Sequence, residues 1–73
     1  MNTQVDEIEV TINGQRRQIA AGRSVDELLA DLGLHPRMVV VEHNYVILDR
    51  EAYAQTEVRA GDNLELVHFV GGG

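Results

Sequence analysis

The sequence contains no cysteine, no lysine and no tryptophan, and only a single proline. Without cysteine the fold has neither a disulfide nor a thiolate zinc site to supplement its core, and no side-chain thiol exists for nucleophilic, persulfide or redox chemistry. Aromatic residues are confined to Tyr45, Tyr53 and Phe69, and six arginines stand against twelve acidic residues, a formal charge of −6. That balance lacks the basic stripe and stacking platform of a nucleic-acid binder. No apolar run approaches membrane-spanning length, and the polar start from Met1 to Asp6 has neither the basic nor the apolar region of a secretory signal. The expectation is a soluble, cytoplasmic chain with no nucleic-acid and no membrane partner.

What is present is enough for one small domain. A chain of 73 residues buries only roughly 60% of its unfolded surface, so the fold must rest on a compact apolar core with good turns and caps. Ile8, Val10 and Ile12 alternate with Glu7, Glu9 and Thr11, the period of a strand with one buried face. Asn13-Gly14 then favours the positive φ values of a tight hairpin turn, which predicts a second strand over about 15–20. Arg16, Arg17 and Gln18 make that second strand polar, as suits a sheet edge.

Ser24-Val25-Asp26-Glu27 fits a capping box, and Val25, Leu28, Leu29 and Leu32 form one apolar stripe of a short helix. Gly33 is suited to stop it and Pro36 prevents its resumption. Met38-Val39-Val40-Val41 reads as a strand covered on both faces, with the turn at His43-Asn44. Val46-Ile47-Leu48 reads as a short strand, and Asp49-Arg50-Glu51-Ala52-Tyr53 as one helical turn with Asp49 as N-cap. Ala60-Gly61-Asp62-Asn63 signals a turn before a last strand over 64–70. The element order predicts an α+β fold of the β-grasp type, a mixed sheet of four to five strands wrapped around one helix, with the last strand beside the first. Residues 1–7 then form a loose polar leader, 8–70 the domain and 71–73 a flexible glycine tail.

The last strand and its tail carry the chemistry. If Leu64 and Leu66 face the helix, Val67 and Phe69 lie on the opposite face, where a small soluble chain has reason to keep apolar residues only for a partner. The alternative is that the alternation slips and Phe69 is core. Gly71, Gly72 and Gly73 present no Cβ and tolerate both signs of φ, so they suit a narrow channel. The α-carboxylate at Gly73 is an anion at neutral pH and a poor electrophile until activated. Adenylation by ATP followed by displacement of AMP by a persulfide opens a route to a thiocarboxylate.

The run from Met38 to Asn44, then Ile47-Leu48 and Asp49-Arg50-Glu51-Ala52-Tyr53, and finally Leu64-Glu65-Leu66-Val67-His68-Phe69-Val70-Gly71-Gly72-Gly73, resembles the ThiS family, the sulfur carrier proteins of bacterial thiamin biosynthesis. The likeness extends over nearly the whole chain from Ile8 and is most specific at the glycine end. It implies that an E1-like adenylating enzyme, using ATP with magnesium, charges the carboxylate of Gly73. A persulfide sulfur donor then converts it to a thiocarboxylate, and thiazole synthase takes the sulfur into the thiazole ring. On this resemblance Gly72 and Gly73 match the terminal pair and Asn44 the usual turn asparagine, while the polar leader before Ile8 is longer than in the family. Val67, Phe69 and Val70 are the expected docking residues, and the chain is a co-substrate that binds no cofactor itself.

Other readings share parts of this pattern. The small subunit of molybdopterin synthase has the same fold and chemistry, but its tail commonly carries prolines before the glycine pair. A carrier for amino-acid biosynthesis would look much the same, and a ubiquitin-like protein modifier would use the same adenylate to acylate a lysine on a target. A binding module with an idle tail would need Phe69 buried. Enzyme activity in this chain alone is not expected, because no nucleophile–base pair or phosphate-binding loop is present. His35, His43 and His68 lack metal-ligand spacing, so no metal site is expected either.

Overall fold

A computed structural model describes residues 6–69 of the chain. Among the described residues are five strands and one α-helix: β1 (Glu7–Ile12), β2 (Gln15–Ala20), α1 (Val25–Asp31), β3 (Val39–His43), β4 (Val46–Ile47) and β5 (Asn63–His68). Short 3-10 helices cover Pro36–Met38 and Arg50–Gln55. The sheet order is β2-β1-β5-β3-β4, with β1 and β5 parallel and the other neighbours antiparallel. The last strand therefore lies centrally beside the first, and the polar β2 is an edge strand, as the element order and the arginines predict. This is the β-grasp architecture.

Turn chemistry sets the first hairpin. Ile12 pairs with Gln15, leaving Asn13 and Gly14 as a two-residue loop with φ of 49° and 81°, values open to Asn and Gly but strained for most other residues. The second hairpin uses the same device at Asn44 and Tyr45, with φ of 49° and 70°, between His43 and Val46.

The capping box opens α1 as expected. Ser24 Oγ accepts from the Glu27 amide at 3.1 Å, and a Glu27 carboxylate oxygen accepts from the Ser24 amide at 2.9 Å. Arg23 holds the other end of the helix through a bidentate pair with Asp31, at 2.9 and 2.7 Å. Val25, Leu28 and Leu29 are fully buried against Val10 and Ile12 of β1, Val39 and Val41 of β3, Leu64 of β5, and Tyr53 and Val58 from the connecting segment. At about 1.5–3 kcal/mol for each large apolar side chain, this single cluster is the principal source of stability. Leu32 packs at its margin, and Gly33 follows at φ 76°. No helix among the described residues is long and apolar enough to cross a membrane.

Several local expectations are corrected. Met38 ends a 3-10 turn rather than opening a strand, because Pro36 sits in its first turn and the Met38 amide bonds back to the His35 carbonyl at 2.8 Å. The strand over Val39–His43 is covered unequally on its two faces, since Val39 and Val41 are buried while Val40 between them is only partly buried. His43 belongs to the strand, and the turn lies at Asn44-Tyr45. Asp49 occupies the N-cap position but makes no side-chain capping bond, and the segment after it is a six-residue 3-10 helix. Val70 and the glycines at 71–73 lie outside the described residues, as do residues 1–5.

Candidate functional site

β5 is the strand that carries the tail, and two side chains extend the ladder around it. On one flank β1 pairs with it only at Thr11↔Asn63 and Ile12↔Leu64 before turning away. Asn13 continues that ladder with its side chain: its Oδ1 accepts from the Leu66 amide at 2.7 Å and its Nδ2 donates to the Leu66 carbonyl at 3.2 Å. On the other flank β3 pairs with β5 along its length, from Val39↔His68 to His43↔Leu64. β4 is too short to cover the outer edge of β3, and Tyr53 takes over. Its hydroxyl donates to the Val39 carbonyl at 2.7 Å and accepts from the Val41 amide at 3.2 Å. Both devices satisfy main-chain groups that would otherwise lack a partner.

The two faces of this central pair differ sharply. Leu64 is wholly buried on the helix side, whereas Val67 and Phe69 are 58% and 45% exposed on the outer face. Val40 lies directly opposite Val67, and Glu42 opposite both Glu65 and Ile47, so the same face continues across β3 to β4. Ile47 is also exposed, as are Tyr45 and Val46 in the second hairpin. The result is an apolar outer strip interrupted by two carboxylates. The slipped register, with Phe69 in the core, does not occur.

A polar clasp fixes the opposite end of β5. His43 Nε2 lies 2.7 Å from Asp62 Oδ2, and Asn44 Nδ2 donates to Asp62 Oδ1 at 3.2 Å. The Arg59 amide also donates to Asp62 at 2.9 Å, and Asn44 Oδ1 accepts from the Asn63 amide at 2.8 Å. Partial burial would raise the Asp62 carboxyl, but the Arg59 amide and the His43 and Asn44 side chains outweigh it and hold the group below its ordinary value. The clasp ties the second hairpin to the start of the strand and lies at the end away from the tail.

Of the residues singled out from sequence, Val67 and Phe69 come together on the outer face, and Val70, Gly71, Gly72 and Gly73 fall outside the described residues. Asn44, expected as a turn residue, is one, and it also braces Asn63. His35 uses its Nδ1 to accept from the Arg37 amide at 3.2 Å, and His68 is exposed on β5. Sequence reasoning missed the strand-like roles of Asn13 and Tyr53 and the clasp at Asp62. Only the Asn13-Gly14 pair offered a signal, and that signal spoke of a turn.

Comparison with known proteins places this architecture. The sequence profile of the ThiS family matches residues 10–73. The chain is 44% identical over 66 residues to a thiazole synthase of Paramagnetospirillum magneticum, a match covering 90% of this chain but only 20% of that longer protein. It is 42% identical over 50 residues to the sulfur carrier protein ThiS of Bacillus subtilis, covering 68% of this chain and 76% of the relative. The crystal structure of the thiamine biosynthesis protein ThiS from Geobacter metallireducens superposes with a TM-score of 0.75 at 36% identity, over 90% of this chain and 100% of that one. With the β-grasp topology already in place, a family profile spanning the strip, the last strand and the glycines shows that this chain belongs to the ThiS family, the family of the sulfur carrier proteins.

Proposed function

We propose that this chain is a cytoplasmic sulfur carrier of thiamine biosynthesis whose working group is the carboxylate of Gly73. The observation that carries the reading is the ThiS-family match running through to Gly73. The exposed Val67 and Phe69 on the strand that leads into the tail agree with it. The carboxylate oxygen attacks the α-phosphate of ATP in the site of an E1-like adenylating enzyme, and pyrophosphate leaves. A persulfide donor attacks the activated carbonyl carbon, AMP departs, and a further thiol cleaves the S–S bond, leaving the thiocarboxylate. Both sulfur and thiol come from partners, because this chain has no cysteine.

Thiazole synthase is the proposed acceptor. A thiazole synthase contains a stretch similar to this chain, which supports a working association between the two activities. The role of the fold in this scheme is delivery. Val67, Phe69 and Val70 dock the strand on each partner in turn, and Gly71 and Gly72 provide reach without bulk. Ordering those glycines costs roughly 1–2 kcal/mol of backbone entropy per residue, which burial of Val67 and Phe69 at the partner surface offsets.

The experiment that tests the reading is ATP–pyrophosphate exchange by the adenylating enzyme in the presence of this chain. The full chain supports exchange, and a chain lacking Gly73 does not. Equal exchange with the shortened chain removes Gly73 from the role.

A further inference from the structure

Main-chain hydrogen bonding along β5 alternates between its two flanks. The Phe69 amide donates to the Met38 carbonyl at 2.8 Å, and the Asn44 amide to the Asn63 carbonyl at 2.8 Å. With the register of Val40↔Val67 and Glu42↔Glu65, the odd-numbered residues of β5 therefore bond toward β3, as the two-residue period of an antiparallel ladder requires. Leu64, Leu66 and His68 turn their groups to the opposite flank. There the Leu64 carbonyl accepts from the Asn13 amide at 2.9 Å, and both groups of Leu66 are met by the Asn13 side chain. His68 is next in this series. β1 has turned away at Asn13-Gly14, and none of the described residues bonds to the His68 main chain on that flank.

We infer that this flank of β5 receives an extended main-chain segment of the adenylating enzyme, which pairs with His68 as an added strand while the tail is charged. The inference rests on the carrier reading above. A donor and an acceptor presented together by one residue at a strand edge match an extended backbone, and such pairing supplies affinity while neighbouring side chains supply selectivity. The neighbours here are Val67 and Phe69, 58% and 45% exposed on the adjoining outer face. His68 lies three residues before Gly71, so a strand gripped there fixes the root of the tail. The other edges are less suited, since β2 presents Arg16, Arg17 and Gln18 and β4 is two residues long. A second copy of this chain is disfavoured as the occupant by the charge of −6 that each would bring.

The test separates main chain from side chain at one position, in the full-length protein. His68→Ala keeps the amide, His68→Pro removes it, and a semisynthetic chain with an ester in place of the Val67–His68 amide removes only the N–H. Because that N–H takes no part in pairing with β3, the ester chain is expected to keep the thermal midpoint of the wild type, which makes it the deciding variant if the proline disturbs the strand. Binding to the purified adenylating enzyme is expected to weaken about five- to tenfold for the proline and ester chains, the loss of one main-chain hydrogen bond, and to change less than about twofold for alanine. The His68 amide should exchange freely in the free chain and become protected in the complex. Equal affinity of the ester chain, an unprotected His68 amide in the complex, or a free chain that sediments as a dimer with that amide already protected would overturn the inference. A wild-type chain that the enzyme does not charge removes the carrier reading and this inference together, whereas normal charging with equal ester-chain affinity removes the strand pairing alone.

Discussion

The side-chain amide of Asn13 meets the main chain of Leu66 as a neighbouring strand would, accepting at 2.7 Å and donating at 3.2 Å. Fifty-three residues apart in sequence, the two join the first hairpin to the strand that carries the tail. Asn13→Gly preserves the positive φ of the turn and removes only this pairing. The expected loss is about 1–2 kcal/mol in chemical denaturation, together with faster exchange of the Leu66 amide. Unchanged exchange at Leu66 would show that the pairing contributes nothing.

Tyr53 does the corresponding work on β3, and here the site is buried. Tyr53→Phe leaves the Val39 carbonyl and the Val41 amide without their partner while keeping the ring in the core. A destabilisation of about 1–3 kcal/mol follows from leaving buried polar groups unmet. Thermal and denaturant unfolding measure it, and a variant as stable as the parent would contradict the assignment.

Asp62 gives the fold a defined acid response. Its carboxyl is held below the ordinary value in the folded state, so the stability it contributes is present above the unfolded-state value, near about 3.9, and is lost as pH falls through the lower folded value. Asp62→Asn should therefore be less stable than the parent at neutral pH, and the gap should close in that acid window. Unfolding curves across pH measure the gap; a difference that persists undiminished below the window would mean that the clasp acts by hydrogen bonding alone.

Phe69 separates docking from folding. Because nearly half of its surface is exposed, Phe69→Ala should cost less than about 1 kcal/mol of stability, while affinity for the adenylating enzyme falls by about tenfold or more if the residue anchors the interface. A core-sized loss in the melt with unchanged affinity would reverse the assignment.

Much of this architecture is legible from local chemistry. Asn13-Gly14 forces positive φ, Ser24 with Glu27 closes a capping box, and the alternation in β1 separates a wet face from a dry one, so these elements follow from residues within a few positions of one another. The outward placement of Val67 and Phe69 follows from the same period of two. What escaped local reading depends on distant partners. Nothing in the neighbourhood of Asn13 or Tyr53 indicates that their side chains stand in for strands, because their partners lie elsewhere in the chain. The second hairpin places Tyr45 at φ 70°, a position usually given to glycine, so local composition points to His43-Asn44, one residue before the actual turn. The 3-10 segment after Asp49 has the composition of an α-helical turn, and its packing against α1 is a tertiary fact.

The account turns on the carboxyl group of Gly73, and the intact mass of the chain tests it most directly. After incubation with the adenylating enzyme, ATP with magnesium and a persulfide donor, the mass should rise by the difference between one sulfur and one oxygen atom, with the gain confined to the C-terminal peptide. An unchanged mass in the presence of demonstrably active partners, or a gain located anywhere but at Gly73, would contradict the account.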